Sequence, residues 1–249
     1  MLLTAMMDPT WRYSFACGLE QAVWRSGACG ALSPHFHKET QITIVIAGIR
    51  RFATRFGLIQ VSGDQTAILP AGMPHQALGL AAGGGESVNI YVPVTRTSIL
   101  THGIPMVMST PPSVQRRADR PNAMINEECI DVICEQAADK ALQHEGLTAS
   151  DRDLIAAVLG TKAAIGPLAR AFSMSREGLT RRFTRATGMT PHAYRLAARL
   201  NNARELLCAG LTPATAAVDA GFADQSHLGR HFRAAFGTTP AGYRAAMRV

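Results

Sequence analysis

Residues 217–232 read AVDAGFADQSHLGRHF, and this stretch decides the fold of the C-terminal part of the chain. A related stretch, LARAFSMSREGLTRRF, occupies residues 168–183. Each contains a leucine followed four positions later by a phenylalanine, Leu179 and Phe183 in one and Leu228 and Phe232 in the other. Because residues four apart lie on one side of a helix, each stretch predicts a helix-turn-helix whose second helix packs through these side chains.

The turns and the helix starts favour the same interpretation. Gly221 can adopt the left-handed conformation that a short turn needs, and Ser175 is a good N-cap. When Ser175 is aligned with Ser226, the two leucines coincide only after a shift of two residues. Aligned on the leucines, the stretches share four further pairs: Arg181 with Arg230, Gly188 with Gly237, Pro191 with Pro240, and Tyr194 with Tyr243. Between the units, residues 193–209 predict one long helix that holds them at a fixed separation.

The positive charge lies in the same part of the chain. The 249 residues carry a formal net charge of +7. Residues 1–145 contain 11 basic and 12 acidic side chains, whereas residues 146–249 contain 14 basic and 6 acidic ones. Thirteen of those fourteen bases are arginine, the side chain that pairs best with phosphate and with guanine. A polyanion is therefore the expected partner, and the paired helix-turn-helix units favour double-stranded DNA.

Residues 150–248 resemble the DNA-binding domain of the AraC/XylS family of bacterial transcription regulators. The resemblance rests on both units and is strongest in the second, where the matching residues are Gly221, Phe222, Asp224, Gln225, Ser226, His227, Leu228, Arg230, Phe232, Arg233, Gly237, Thr239, Pro240, Tyr243 and Arg244. It implies that the outward faces of two helices read promoter DNA in successive major grooves. By position these faces hold Glu177, Thr180 and Arg181 in the first unit and Ser226, His227 and Arg230 in the second. Arginine can hydrogen-bond guanine and glutamate can accept from cytosine, so these residue types suit base recognition.

The N-terminal part has a different pattern. Short β-branched runs such as QITIVI at residues 41–46 are separated by glycine and proline, which is typical of a β-sandwich or a small barrel. Residues 35–48 resemble the first cupin motif, with Gln41 where a metal-binding cupin has glutamate, and residues 70–75 resemble the second. The fold class is therefore expected to be α+β: a cupin-like β-barrel followed by an all-α domain with two helix-turn-helix motifs joined by a long helix.

Two interpretations of the cupin-like motif remain open. His35, His37, Gln41 and His75 can line a pocket for a small-molecule effector, with no metal present. Alternatively His35, His37 and His75 can hold a divalent transition metal, because three imidazoles suit such an ion. AraC-type regulators commonly pair this barrel type with the DNA-binding domain. A regulator that senses a small molecule is therefore expected rather than an enzyme, and the alternative is a metal-dependent cupin enzyme or a metal sensor fused to a DNA-binding module.

The predicted domains are residues 1–100 for the effector-sensing part, 101–147 for a linker and a dimerisation helix, and 148–249 for the DNA-binding part. Prolines among polar residues indicate the linker. A stripe that includes Ile130, Ile133 and Ala137 predicts a helix suited to pairing in a homodimer. Because the chain has five cysteines and no apolar run long enough to cross a membrane, we expect a cytoplasmic protein with reduced thiols. If it is an activator, RNA polymerase is a further expected partner.

Overall fold

The computed structural model describes residues 11–16, 18–25, 31–79, 84–97, 104–120, 124–141, 147–161 and 163–248. Within them, the N-terminal part is built from antiparallel strands and the C-terminal part from helices, which confirms the predicted fold class. None of the helices in these ranges is both long and apolar enough to span a membrane. Cys17, Cys29 and Lys162 lie outside the described residues, as do residues 101–103, 121–123 and 142–146 of the segment predicted as linker and dimerisation helix.

The strands form two sheets. Their bounds are β1 Arg12–Ala16, β2 Leu19–Arg25, β3 Thr40–Ala47, β4 Ile49–Thr54, β5 Gly57–Ser62, β6 Gln65–Leu69, β7 His75–Ala77, β8 Glu86–Val92 and β9 Met106–Ser109. One sheet has the order β1-β2-β8-β3-β6-β9 and the other the order β5-β4-β7. No ladder joins the two sheets in the described ranges, so they form an open sandwich rather than a closed barrel.

The helices follow the strands. Their bounds are α1 Pro112–Ala118, α2 Glu127–Ala141, α3 Ala149–Gly160, α4 Ile165–Ala171, α5 Arg176–Thr187, α6 Pro191–Cys208, α7 Pro213–Asp219, α8 Gln225–Phe236 and α9 Pro240–Ala246. The predicted spacer between the two helix-turn-helix units is α6, which begins two residues earlier than expected. Thr190 caps it by accepting a hydrogen bond from the backbone N–H of Ala193, and Pro191 occupies its first position.

Strand β3, at the centre of the six-stranded sheet, is covered on both faces, and this explains why residues 40–45 are all buried. On its outer face, Ile42 and Ile44 pack against α1 and α2. On its inner face, Val45 packs against Phe52 of β4 and Val61 of β5. Successive strand residues point to opposite faces, so a strand covered on both sides needs few exposed polar side chains.

The predicted linker is wrong for much of its length. Met106–Ser109 forms β9, which extends the six-stranded sheet by pairing with β6. The apolar stripe of α2 is also not available for a dimer, because Ile130, Ile133 and Ala137 are fully buried against that sheet. The N-terminal domain therefore continues through α2 and does not end at residue 100. A homodimer stays a prediction, and it would need a different surface.

The two domains are packed against each other through buried side chains and hydrogen bonds. Phe36, between β2 and β3, is buried among residues of the helical domain and stacks on Tyr194 of α6, with ring centroids 4.5 Å apart. Asn201 of α6 donates to the Phe36 carbonyl at 2.8 Å. Tyr13 of β1 donates its hydroxyl to the Phe236 carbonyl at 3.0 Å, at the end of α8. The N-terminal sheets and the C-terminal helices are thus packed and hydrogen-bonded to each other.

Substituting Gly237 tests this packing. Gly237 ends α8 with φ +69°, and a Cβ built there would lie 2.3 Å from the Trp11 ring. Gly237→Ala should therefore lower the free energy of unfolding by about 1–2 kcal/mol, because it adds left-handed strain to a clash across the domain boundary. Urea unfolding measures the change. Gly229→Ala is the matched control: it lies within α8 with nothing within 4 Å, so its helix propensity should stabilise the protein. Equal effects of the two changes would contradict the described packing.

Candidate functional site

The first helix-turn-helix unit consists of α4 and α5. Ser175 caps α5 by accepting a hydrogen bond from the backbone N–H of Gly178 at 2.9 Å, as its sequence position predicts. Leu179 and Phe183 are fully buried, in a cluster that includes Leu154 of α3. The opposite side of α5 is therefore left to the solvent.

The second unit, α7 and α8, has the same construction with one difference in its cap. Gly221 in the turn has φ +78°, as expected for a left-handed position. Asp224 caps α8 by accepting from the backbone N–H of His227 at 2.7 Å. Asp224 precedes Leu228 by four residues, just as Ser175 precedes Leu179. The structural partner of Ser175 is thus Asp224 and not Ser226, which accounts for the two-residue shift between the serine and leucine alignments.

The residues expected to contact DNA differ in the solvent exposure of their side chains and in the contacts these make within the protein. Four of them are exposed on α5 or α8: Glu177, Arg181, Ser226 and Arg230. Thr180 is half-buried and donates its hydroxyl to the Arg176 carbonyl. His227 is half-buried as well, with its ring against Phe222 at a centroid distance of 5.4 Å. These two side chains are therefore partly engaged within the protein.

The sequence patterns did not identify two exposed side chains that lie beside the residues expected to contact DNA. Arg176 and Gln225 are the first residues of α5 and α8, directly after the capping residues. Both are exposed, and both carry donors suited to base edges or phosphate. Their place next to the N-caps is the signal that could have identified them.

Several arginines of the basic domain serve the protein itself. Arg182 pairs with Asp151 at 3.2 Å. Three others donate to backbone carbonyls near helix ends. Arg195 donates to the carbonyls of Val158 and Ala163, and Arg199 donates to those of Ala220 and Gly221. Arg244 donates to the carbonyl of Gly210. Cations are favourable beside such unpaired carbonyls, so these side chains hold helices together. The net charge alone therefore overstates how many guanidinium groups face a partner.

Arg204 of α6 is the most deeply buried of these arginines. It is 4% exposed, and its Nη2 lies 2.7 Å from a carboxylate oxygen of Glu20 in β2. Its Nη1 lies 3.0 Å from Nδ1 of His37 and 3.5 Å from Glu39. The side chain therefore reaches from the helical domain to the histidines of the N-terminal domain.

The structure brings His35, His37 and His75 together, as the cupin-like motifs predict. One ring nitrogen from each lies within 4.8 Å of those of the other two, and all three side chains are buried. His35 and His37 do not lie on a named strand. They lie on the segment before β3, where His35 forms an isolated bridge with His75. Gln41 of β3 is buried and donates from Nε2 to the Thr43 hydroxyl.

The three imidazoles are neutral at physiological pH. Burial is the main cause: it lowers the pKa of His35 to about 3 and that of His75 to about 4, and it holds the pKa of His37 well below its usual range. Arg204 lowers the pKa of His37 further. The cluster is thus a set of neutral rings beside a fixed cation.

Hydrogen bonds decide whether these rings suit a metal. His35 Nδ1 lies 2.8 Å from the Ser33 carbonyl and His75 Nδ1 lies 3.1 Å from the Met73 carbonyl. Because a carbonyl only accepts, both rings carry their proton on Nδ1 and present a lone pair on Nε2, the tautomer a metal ligand needs. Arg204 only donates, so a neutral His37 accepts at Nδ1 and carries its proton on Nε2, which has no hydrogen-bond partner in the described structure. With Arg204 in place, two of the three histidines fit a metal and His37 does not.

The pKa values predict how stability depends on pH. The folded-state pKa of His35 and His75 lies below the unfolded value of about 6.5, so the unfolded chain binds more protons between these limits. The free energy of unfolding should have its full value above pH 6.5 and decrease as the pH falls. At about pH 5 the decrease should be about 2 kcal/mol for each histidine. Urea unfolding at several pH values, with a chelator present, measures this. NMR titration of the folded protein is the check: midpoints near 6.5 for both rings would refute the prediction.

Comparison with known proteins identifies the helical domain. Residues 168–246 match a family model described as a helix-turn-helix domain. A segment of 54 residues is 44% identical to an uncharacterized HTH-type transcriptional regulator, YbfI, of Bacillus subtilis. That match covers 22% of this chain and 20% of YbfI, so the chain spans about a fifth of the length of this curated relative.

Solved structures are similar over nearly the whole chain. A structure of ToxT from Vibrio cholerae matches with a TM-score of 0.57 and 10% identity, covering 92% of this chain and 98% of ToxT. A second structure, described as unsaturated fatty acid bound wild-type ToxT, matches with a TM-score of 0.59 and 10% identity, covering 95% of each chain. At this identity the likeness establishes the fold, a β-sheet domain followed by a helical one. The comparisons thus show a helix-turn-helix domain at residues 168–246 and a ToxT-like fold over the chain.

Proposed function

We propose that the protein is a sequence-specific DNA-binding transcription regulator that responds to a small-molecule effector. The observation that carries the proposal is the pair of capped helices α5 and α8, which bury matched leucine and phenylalanine side chains and expose Arg181 and Arg230. Two such readers on one rigid helix are suited to two successive major grooves of promoter DNA. The protein acts in the cytoplasm, as a homodimer, and contacts RNA polymerase if it activates.

Base recognition is assigned to the outward faces of α5 and α8. Arg181 and Arg230 are the guanine readers, since a guanidinium can donate to both O6 and N7 of that base. Glu177 accepts from cytosine, while Ser226 and the half-buried Thr180 and His227 complete the surface. The N-termini of both helices add favourable positive potential toward phosphate.

The effector is assigned to the space between the two β-sheets. His35, Gln41 and His75 line a cavity there, and His37 lies beside it against Tyr91. ToxT, which shares this fold, has been solved with an unsaturated fatty acid bound, which supports ligand binding by this kind of protein. An effector can act only if it binds one domain arrangement more tightly than another. The contact of Arg204 with His37 offers a direct route from this cavity to α6.

A metal sensor is the second candidate, favoured by the three clustered histidine nitrogens. It requires the bond between Arg204 and His37 to open, so metal binding would oppose the described domain arrangement. Metal-dependent DNA affinity that disappears in His75→Ala would support it. Unchanged DNA affinity across a zinc titration would exclude it.

Arg230→Ala tests base reading. It should cost about 1–3 kcal/mol on the preferred DNA site and relax the sequence preference at one position. Equilibrium binding to that site and to single-base variants of it measures both effects. Arg116→Ala is the control, because Arg116 is exposed on α1 of the other domain. An equal loss on every DNA sequence would show that Arg230 contacts only phosphate.

Salt dependence tests the electrostatic part of the interface. The logarithm of the binding constant should fall linearly with the logarithm of salt concentration, with a slope of about −0.9 for each phosphate neutralised. Arg181→Ala and Arg230→Ala should each make the slope shallower if the side chain also neutralises phosphate. Binding that is independent of salt would contradict an interface built on arginine.

A further inference from the structure

Arg50 on β4 is a buried cation without a counter-ion among the described residues. Its residue is 2% exposed, and β4 alternates so that Arg50 and Phe52 point inward while Ile49 and Arg51 point outward. All three guanidinium nitrogens, Nε, Nη1 and Nη2, lack a hydrogen-bond partner within the described part of the chain. The guanidinium lies over the rings of Trp11 and Phe52, at 5.1 Å and 5.8 Å from their centroids.

The contacts with the two rings do not replace the hydrogen bonds to water that the guanidinium loses on burial. A guanidinium has five N–H donors, and a ring face satisfies the charge only in part. Buried charges are normally paired, because leaving one unpaired in a low-dielectric interior is costly. An arginine kept in this state without a protein partner is the arrangement expected of a binding group held ready for an anion.

The cavity beside Arg50 supplies no anion of its own. Its lining includes His35, His75, Gln41 and Asn89 but no aspartate or glutamate from the described residues. The positive potential of Arg50 is therefore uncompensated by any lining side chain.

Two further polar atoms in the same lining are unpartnered. Trp11 Nε1 is a buried donor and Gln41 Oε1 is a buried acceptor, and neither has a hydrogen-bond partner in the described structure. Native proteins satisfy most such groups, so three unsatisfied side chains around one cavity indicate a ligand or water that completes them. A group with an anionic oxygen would pair with Arg50 and Trp11.

We infer that the cavity between the sheets binds the carboxylate of a small molecule, with Arg50 as the anion-binding residue. This rests on the proposed function, because it names the chemical class of the effector. The planar fork of arginine matches a carboxylate through two parallel hydrogen bonds. Arg50 is the one arginine or lysine in the described lining, so a monoanion matches its charge better than a doubly charged phosphate does.

The size of the cavity determines the probe. Its volume of about 10 Å³ is close to that needed for one water molecule. Formate and acetate are the smallest carboxylates and require the least rearrangement, whereas a larger effector must displace part of the lining. Formamide and acetamide have similar shapes without the charge.

The experiment measures binding of formate and acetate to the full chain by calorimetry, at constant ionic strength with chloride as the balancing anion. Wild type should bind a carboxylate at least tenfold more tightly than the matching amide. Arg50→Met should abolish this preference, and Arg50→Lys should keep part of it, since it retains the charge but loses the fork. Arg51→Met, on the exposed face of the same strand, is the control and should bind like wild type.

If carboxylate binding is too weak for calorimetry, the melting temperatures of wild type and Arg50→Met test the same site. Arg50→Met removes an unpaired buried charge, so without ligand its Tm should equal or exceed that of wild type. Carboxylate should raise the Tm of wild type and leave that of Arg50→Met unchanged. A lower Tm for the ligand-free variant would give Arg50 a structural role and overturn the inference, as would equal binding of carboxylate and amide by wild type.

Binding of DNA by the same preparations, without carboxylate, separates this inference from the proposed function. If wild type and Arg50→Met select the same DNA site but wild type shows no carboxylate preference, the inference fails and the proposed function stands. If neither protein prefers any DNA sequence, the proposed function fails whatever the calorimetry gives.

Discussion

The ion pair between Arg204 and Glu20 is the interaction on which the arrangement of the two domains depends. Arg204 is buried where α6 meets the β-sheet domain, and Glu20 also accepts a hydrogen bond from the Tyr243 hydroxyl of α9 at 2.6 Å. Removing Arg204 would leave the largely buried Glu20 without a counter-ion, and removing Glu20 would leave Arg204 only the longer contact with Glu39 at 3.5 Å, which is costly in a protein interior. The pair therefore fixes the position of the helical domain relative to the β-sheet domain, which an exposed surface ion pair would not do.

The same side chain connects both proposed activities. Arg204 belongs to α6, the helix between the two helix-turn-helix units, and its Nη1 also meets His37 beside the candidate effector cavity. A change at the histidines that moved Arg204 would act on α6 and so on the placement of α5 and α8, the helices proposed to read DNA. A further contact of α6 with this region, from Asn201 to the Phe36 carbonyl, lies about one turn earlier on the same helix.

The sequence predicted most of the C-terminal domain because its signals are local. The Leu–Phe pairs, Gly221 and Ser175 each act within one helix or turn, and all occupy the predicted places. The clustering of His35, His37 and His75 also followed from motif spacing. The predicted linker after residue 100 missed β9, because this strand is defined by pairing with the distant β6, which prolines and polar neighbours do not reveal.

The roles of individual arginines could not be read from the sequence either. Arg204 resembles any other basic residue of the C-terminal domain until its burial against Glu20 is known, and Arg50 has no sequence signal that separates it from the exposed Arg51. The stripe of α2 likewise predicted an apolar surface correctly but not its partner, which is the sheet of the same chain. Amphipathic patterns show which face is buried, and only tertiary structure shows what covers it.

The most direct test of the central claim is selection and sequencing of genomic fragments bound by the purified full-length protein at physiological salt, with Arg181→Ala and Arg230→Ala analysed in parallel. The account predicts enrichment of one site composed of two boxes about one helical turn apart, with each variant losing preference in a different box. If no sequence is enriched, or if both variants select the same site as wild type, then α5 and α8 do not read DNA bases and the account is wrong.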